Sequence, residues 1–90
     1  MSNSERVWMM YDLILALVIS EKKVTVRTKF FSVDFCKENN MYHMHTEKVI
    51  ASSEYLHSLY DLVHSTLTDK SLCEDIEIIA DNEIFAIFKN

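Results

Sequence analysis

The sequence predicts an α+β domain, two helices and four strands in the order α-β-β-α-β-β. Three observations point to this. Two stretches repeat apolar residues at helical spacing, four others are strand-like, mostly alternating apolar with polar residues, and Asn or Asp pairs sit where strands would turn back. The simplest architecture has two layers, a four-stranded and mostly antiparallel sheet with both helices on one face. Ninety residues make one domain, 1–90, with no linker, repeat or low-complexity tract.

The first helix is expected over about residues 4–21. Ser2 and Glu5 match a capping box. On a helical wheel Asp12, Glu5, Ala16, Met9 and Ser20 form one weakly polar stripe. The rest of the surface from Val7 to Ile19 is apolar over about 240°, against ~100° for an ordinary surface helix. A sheet can cover one side of such a helix; a second helix, a partner chain or a membrane surface must cover the remainder. Lys22-Lys23 then suits the negative end of the helix dipole.

Val24, Val26 and Phe30 alternate with Thr25, Arg27 and Lys29 as a half-buried strand. The apolar set then becomes Phe31, Val33 and Phe35, and this change of parity predicts a bulge or break near Phe30-Phe31. Lys37-Glu38-Asn39-Asn40 reads as a hairpin connection. The next strand, about 41–50, sets Tyr42, Met44 and Thr46 against His43, His45 and Glu47. Ser52 or Ser53 caps a second helix over about 53–68, with Glu54 in its first turn and Leu56, Leu59, Tyr60, Val63 and Leu67 as its core stripe. After an acidic loop, Ile76, Ile78 and Ala80 mark a third strand, Asp81-Asn82 a tight turn, and Ile84 to Phe88 a last strand apolar on both faces. The sheet face away from the helices is expected to mix Arg27, Lys29, His43, His45 and Glu47 with Ile79 and with Phe85 or Ile87.

The chain contains no glycine and no proline. This excludes a phosphate-cradling glycine loop, a dinucleotide fingerprint, a GxSxG nucleophile elbow and a glycine-centred calcium loop. Both residues are specified only by GC-rich codons, so codon bias in an AT-rich genome would by itself produce part of such a deficit. The structural consequence stands regardless: turns that need a positive φ must run through Asn and Asp, as at Asn39-Asn40 and Asp81-Asn82.

The formal charge is −5 and is concentrated. Asp69, Glu74, Asp75, Glu77, Asp81 and Glu83 face only Lys70 within residues 69–83. Such a balance argues against nucleic-acid binding, which needs a basic footprint, and suits a basic protein partner. Cys36 and Cys73 imply no disulfide framework, so a reduced, cytoplasmic protein is expected. The apolar run from Val7 to Ile19 is too short to span a bilayer, which takes about 20 residues.

Two candidate sites follow. His57, Asp61 and His64 fall within about 60° of one another on the second helix, and two imidazoles with a carboxylate could hold zinc. His43 and His45 share a strand face, but the one turned away from that helix. Catalysis finds no support: Cys36 and Cys73 lack motif context, and Ser53 with His57 is ordinary cap geometry. The second candidate is a protein interface. Trp8 and Met9 lie at the front of the over-wide helix, Phe85 and Ile87 on the two-faced last strand, and Glu74, Asp75 and Glu77 in the acidic segment. The expectation is a non-catalytic, self-associating protein-binding module without a cofactor, acting as an inhibitor, immunity protein or viral or phage accessory protein. The alternatives are a small metal- or ligand-binding protein and an acidic DNA mimic.

Overall fold

The parity change at Phe30-Phe31 is a full reversal of the chain. A computed structural model describes residues 2–90. Its elements are α1 (Asn3–Ile19), β1 (Val24–Arg27), β2 (Ser32–Glu38), β3 (Met41–Thr46), β4 (Ile50–Ser53), α2 (Leu56–Ser71), β5 (Ile76–Ala80) and β6 (Glu83–Phe88). The α+β class and the two helices agree with expectation, but the sheet has six strands where four were expected. They lie in the order β4-β3-β2-β1-β5-β6, and every neighbouring pair is antiparallel.

Both additional strands arise at tight turns built on threonine. Thr28 donates its N–H to the Phe31 carbonyl at 2.8 Å, closing the turn between β1 and β2. Each strand then keeps its own alternation, with Val24 and Val26 inward on one and Val33 and Phe35 inward on the other. At the second turn Thr46 N–H donates to the Val49 carbonyl at 2.7 Å, and Thr46 Oγ1 accepts the N–H of Val49 at 2.9 Å. A threonine hydroxyl that satisfies turn amides does the work usually assigned to Asn or Asp. β4 follows, so α2 begins at Leu56 and not at Ser53. Ser53 Oγ accepts the Tyr55 N–H at 3.1 Å ahead of the helix, and Tyr55 at the cap makes no side-chain capping bond.

The absence of glycine is met, among the described residues, at five with positive φ: Glu21 at 63°, Asn39 at 53°, Asn40 at 62°, Asp81 at 49° and Asn82 at 71°. The two Asn/Asp pairs form two-residue hairpin loops, where the twist of the strands demands positive φ at both positions. Glu21 ends α1. Its N–H donates to the Val18 carbonyl at 3.0 Å and the Lys22 N–H to the Leu17 carbonyl at 3.1 Å, a paired C-terminal cap normally centred on glycine. Lys22 and Lys23 lie beyond this cap rather than in the last helical turn. At the other end Ser2 Oγ accepts the Glu5 N–H at 3.1 Å, as the capping pattern predicts.

Both helices cover one face of the sheet. Val7, Met10, Ile14 and Val18 of α1 and Leu56, Tyr60 and Leu67 of α2 enclose Val24, Val26, Val33, Phe35, Met44, Ile76 and Ile78. Burial of each such side chain contributes roughly 1.5–3 kcal/mol. The excess apolar surface of α1 is largely covered by α2. Trp8 packs on Tyr60 with ring centroids 5.1 Å apart, and Tyr11 packs on Tyr60 at 5.2 Å. The Tyr60 hydroxyl donates to the Val7 carbonyl, tying the helices together, and burial pushes its pKa well above the ordinary phenol value. Glu5, Met9, Asp12, Ala16 and Ser20 are all exposed, which is the outward stripe read from the sequence.

Candidate functional site

The second face of the sheet carries no helix among the described residues, and strand register determines what it presents. One row of side chains crosses it completely: Ile50, His45, Asp34, Thr25, Ile79, Ile84. A neighbouring row runs Ser32, Arg27, Glu77, Ile87. The middle of this face is polar and internally satisfied. Thr25 Oγ1 donates to Asp34 Oδ1 at 2.6 Å, and the Arg27 guanidinium meets Glu77 at 3.0 Å. Toward β6 the face becomes apolar.

β6 is an edge strand with its outer backbone groups unpaired by any other strand. Its register against β5 shifts between Ile78 and Ile79, so Ile79 faces Ile84 while Ile78 faces Ala86. Phe85 is the extra residue of this bulge. Ala86 and Phe88 turn toward the helices and are half-buried, whereas Ile84, Phe85 and Ile87 are 55%, 56% and 46% exposed. Three large apolar side chains in four residues of an open edge leave apolar area beside unpaired backbone groups, the combination that edge strands ordinarily avoid.

The other interface candidates fare differently. Met9 is 55% exposed, but Trp8 is half-buried between the helices, in contact with Tyr11, Tyr60 and His64. The acidic segment is mostly neutralised within the chain. Glu74 pairs with Lys70 at 3.6 Å, Asp75 with Lys89 at 3.5 Å, Glu77 with Arg27 at 3.0 Å and Asp81 with Lys22 at 3.4 Å. The Asn90 N–H and the Lys89 ammonium hold the Asp75 carboxyl below its ordinary pKa. Asp69 and Glu83 have no such pair among the described residues, and the chain keeps its net charge of −5.

His57, Asp61 and His64 share a flank of α2 as expected, yet His64 is turned to a different task. Its Nε2 lies 3.1 Å from Ser4 Oγ, and its ring stacks on Trp8 at 4.8 Å. Among the described residues no three His, Cys, Asp or Glu side chains are grouped as a metal would need. His43 and His45 lie on the open face as expected, and His43 Nδ1 meets Ser52 Oγ at 2.7 Å. The Ser4–His64 contact was not legible in the sequence, because only the docking of α1 on α2 joins residues 60 positions apart. Trp8 fixes the imidazole plane, and no carboxylate hydrogen bond to the His64 ring occurs among the described residues to orient it as a base. Cys36 sits on the open face, where burial pushes its thiol pKa up and away from the reactive thiolate.

One cleft of about 630 Å³ lies between the β1–β2 and β3–β4 turns. Arg27, Lys29, Lys48 and Lys70 line it around the exposed Phe30, but Arg27 and Lys70 are already paired with Glu77 and Glu74. No helix among the described residues is long and apolar enough to cross a membrane. Comparison with protein-family models, curated proteins and solved structures finds no significant match to this chain.

Proposed function

We propose that this chain is a non-catalytic protein-binding module that self-associates through β6 and the apolar part of the open sheet face. The observation that carries this reading is the exposure of Ile84, Phe85 and Ile87 on an unpaired edge strand. A sheet edge supplies hydrogen-bonding groups in register, and its side chains supply apolar area, the two components of strand-addition recognition. A chain of 90 residues also has little core to spare, so association adds stability that a small domain needs. The free Cys36 and Cys73 suit a reducing, cytoplasmic setting. A module of this kind acts by occupying a protein surface, as inhibitors and accessory proteins do.

Light scattering on the eluted protein tests the reading. The expected mass is twice the 10.6 kDa of the chain at tens of micromolar and above. A single 10.6 kDa species at several hundred micromolar would remove it.

A further inference from the structure

We infer that the open sheet face carries a zinc site between β2 and β3, with Asp34, Cys36, His43 and His45 as its ligands. The strand register places these four residues at the corners of one rectangle. Cys36 pairs with His43, and Asp34 with His45. Residues two apart on a strand share a face, about 7 Å from one another, and directly opposed residues lie about 5 Å apart at Cβ. Thiolate and carboxylate have short arms and would meet an ion between them along β2. The longer imidazoles reach it from β3. A concavity of about 270 Å³ lies at this rectangle, lined by all four residues together with Lys23 and Ile50.

Two of the four are already oriented from their outer sides. His43 Nδ1 meets Ser52 Oγ at 2.7 Å, and Ser52 lies on β4, the strand away from β2. Nδ1 and Nε2 point in nearly opposite directions from an imidazole ring, so Nε2 is aimed back toward β2. Asp34 Oδ1 accepts from Thr25 Oγ1 at 2.6 Å, and Thr25 lies on β1, the strand away from β3. Its second oxygen, Oδ2, is therefore left for the β3 side. A hydroxyl behind each ligand is the supporting contact that fixes the tautomer of a metal-bound histidine and the plane of a carboxylate. Among the described residues the side chains do not already meet around one point. Rotation of Cys36 and of the exposed His45 about their own side-chain bonds closes the set, with no movement of the backbone.

The donor set selects the metal. Two imidazoles, a thiolate and a carboxylate make the tetrahedral nitrogen and sulfur environment that zinc takes, whereas calcium and magnesium require oxygen. On binding, the Cys36 thiol gives its proton to solvent as the sulfur takes the ion. The thiolate and the Asp34 carboxylate then balance the two positive charges of zinc. Lys23 is the one cation lining the concavity; its exposed ammonium sits on a long stem that can turn to solvent. The site lies on β2 and β3, away from β6, and does not rest on self-association.

The test titrates the full chain, kept reduced with a phosphine, with zinc chloride by calorimetry and with cobalt(II) chloride by absorption spectroscopy. The expected result is one zinc per chain with a Kd below about 10 µM. Cobalt should give the strong visible absorption of a tetrahedral ion and a near-ultraviolet thiolate charge-transfer band. Cys73→Ser should leave both unchanged. Cys36→Ser should remove the thiolate band, and Cys36→Ser, His43→Ala and His45→Ala should each weaken zinc binding at least about tenfold. The cobalt spectrum of the wild-type chain reads the site without relying on any variant to fold. A wild-type chain that binds no zinc, or that shows no thiolate band with cobalt, overturns the proposal. So does a band that survives Cys36→Ser, a stoichiometry of one metal per two chains, or binding lost with His57→Ala and His64→Ala but untouched by His43→Ala.

Discussion

At one edge of the sheet β4 offers four residues, Ile50-Ala51-Ser52-Ser53; at the other β6 offers six, of which five are apolar. The β4 edge is blunted by familiar means. It is short, half its residues are serine, Ser52 is tied to His43, and the chain leaves it directly into α2. Ile50 is exposed there, but alone within the strand. The β6 edge has none of these protections, and its bulge adds Phe85 to the exposed set instead of twisting the apolar residues away. Sheet edges are dangerous by default, and this contrast between a guarded edge and an apolar one is what the proposed self-association rests on.

The largest expected effect is a difference in protection between the edges. Raising the protein concentration from about one to several hundred micromolar should slow hydrogen exchange of the outward β6 amides by at least tenfold, with no change at β4. Equal behaviour at both edges would break the comparison. Next comes the anchoring of the strands. Phe88 pairs with Ile76 and packs on the core, so Phe88→Ala should cost about 2 kcal/mol in urea denaturation. Ala51→Gly, the corresponding loss on β4, should cost only about 0.5–1 kcal/mol.

Smaller effects sharpen the picture. Glu21→Gly should stabilise the monomer by about 1 kcal/mol, because glycine carries no side-chain penalty at φ 63°. Asn82→Gly should gain less, since Asn tolerates this region, but the gain would lie in the β5–β6 hairpin and should carry into tighter association. The smallest effect is with pH. The folded state depresses the Asp75 pKa below 3.8, so its contribution is fully present above that value and is lost as pH falls through the folded pKa. Asp75→Asn should abolish this dependence, which a pH series of denaturation curves below pH 4 would read.

Much of this was legible in the sequence, and the failures share a cause. Helix α1, its capping serine, its outward stripe with Met9, and both Asn/Asp hairpins follow from local periodicity and backbone preference. The β1–β2 turn showed only as the parity change at Phe30-Phe31 and the β3–β4 turn not at all, because Thr28 and Thr46 carry no standard turn signature. Glu21 in a left-handed cap is equally invisible without coordinates. The surface of β6 was visible as an apolar strand, but its place at the edge depends on β5 joining β1, a long-range pairing no local pattern encodes. Trp8 illustrates the converse: its bulk suggested an interface, and tertiary docking of α2 gave it an internal one.

Sedimentation equilibrium of the wild-type chain, Ile87→Lys and Ile50→Lys separates the two edges. The wild type should be a dimer, Ile87→Lys a monomer with at least tenfold weaker association, and Ile50→Lys a dimer of unchanged affinity. A monomeric wild type, or a dimer dissolved by Ile50→Lys and untouched by Ile87→Lys, would contradict self-association through β6.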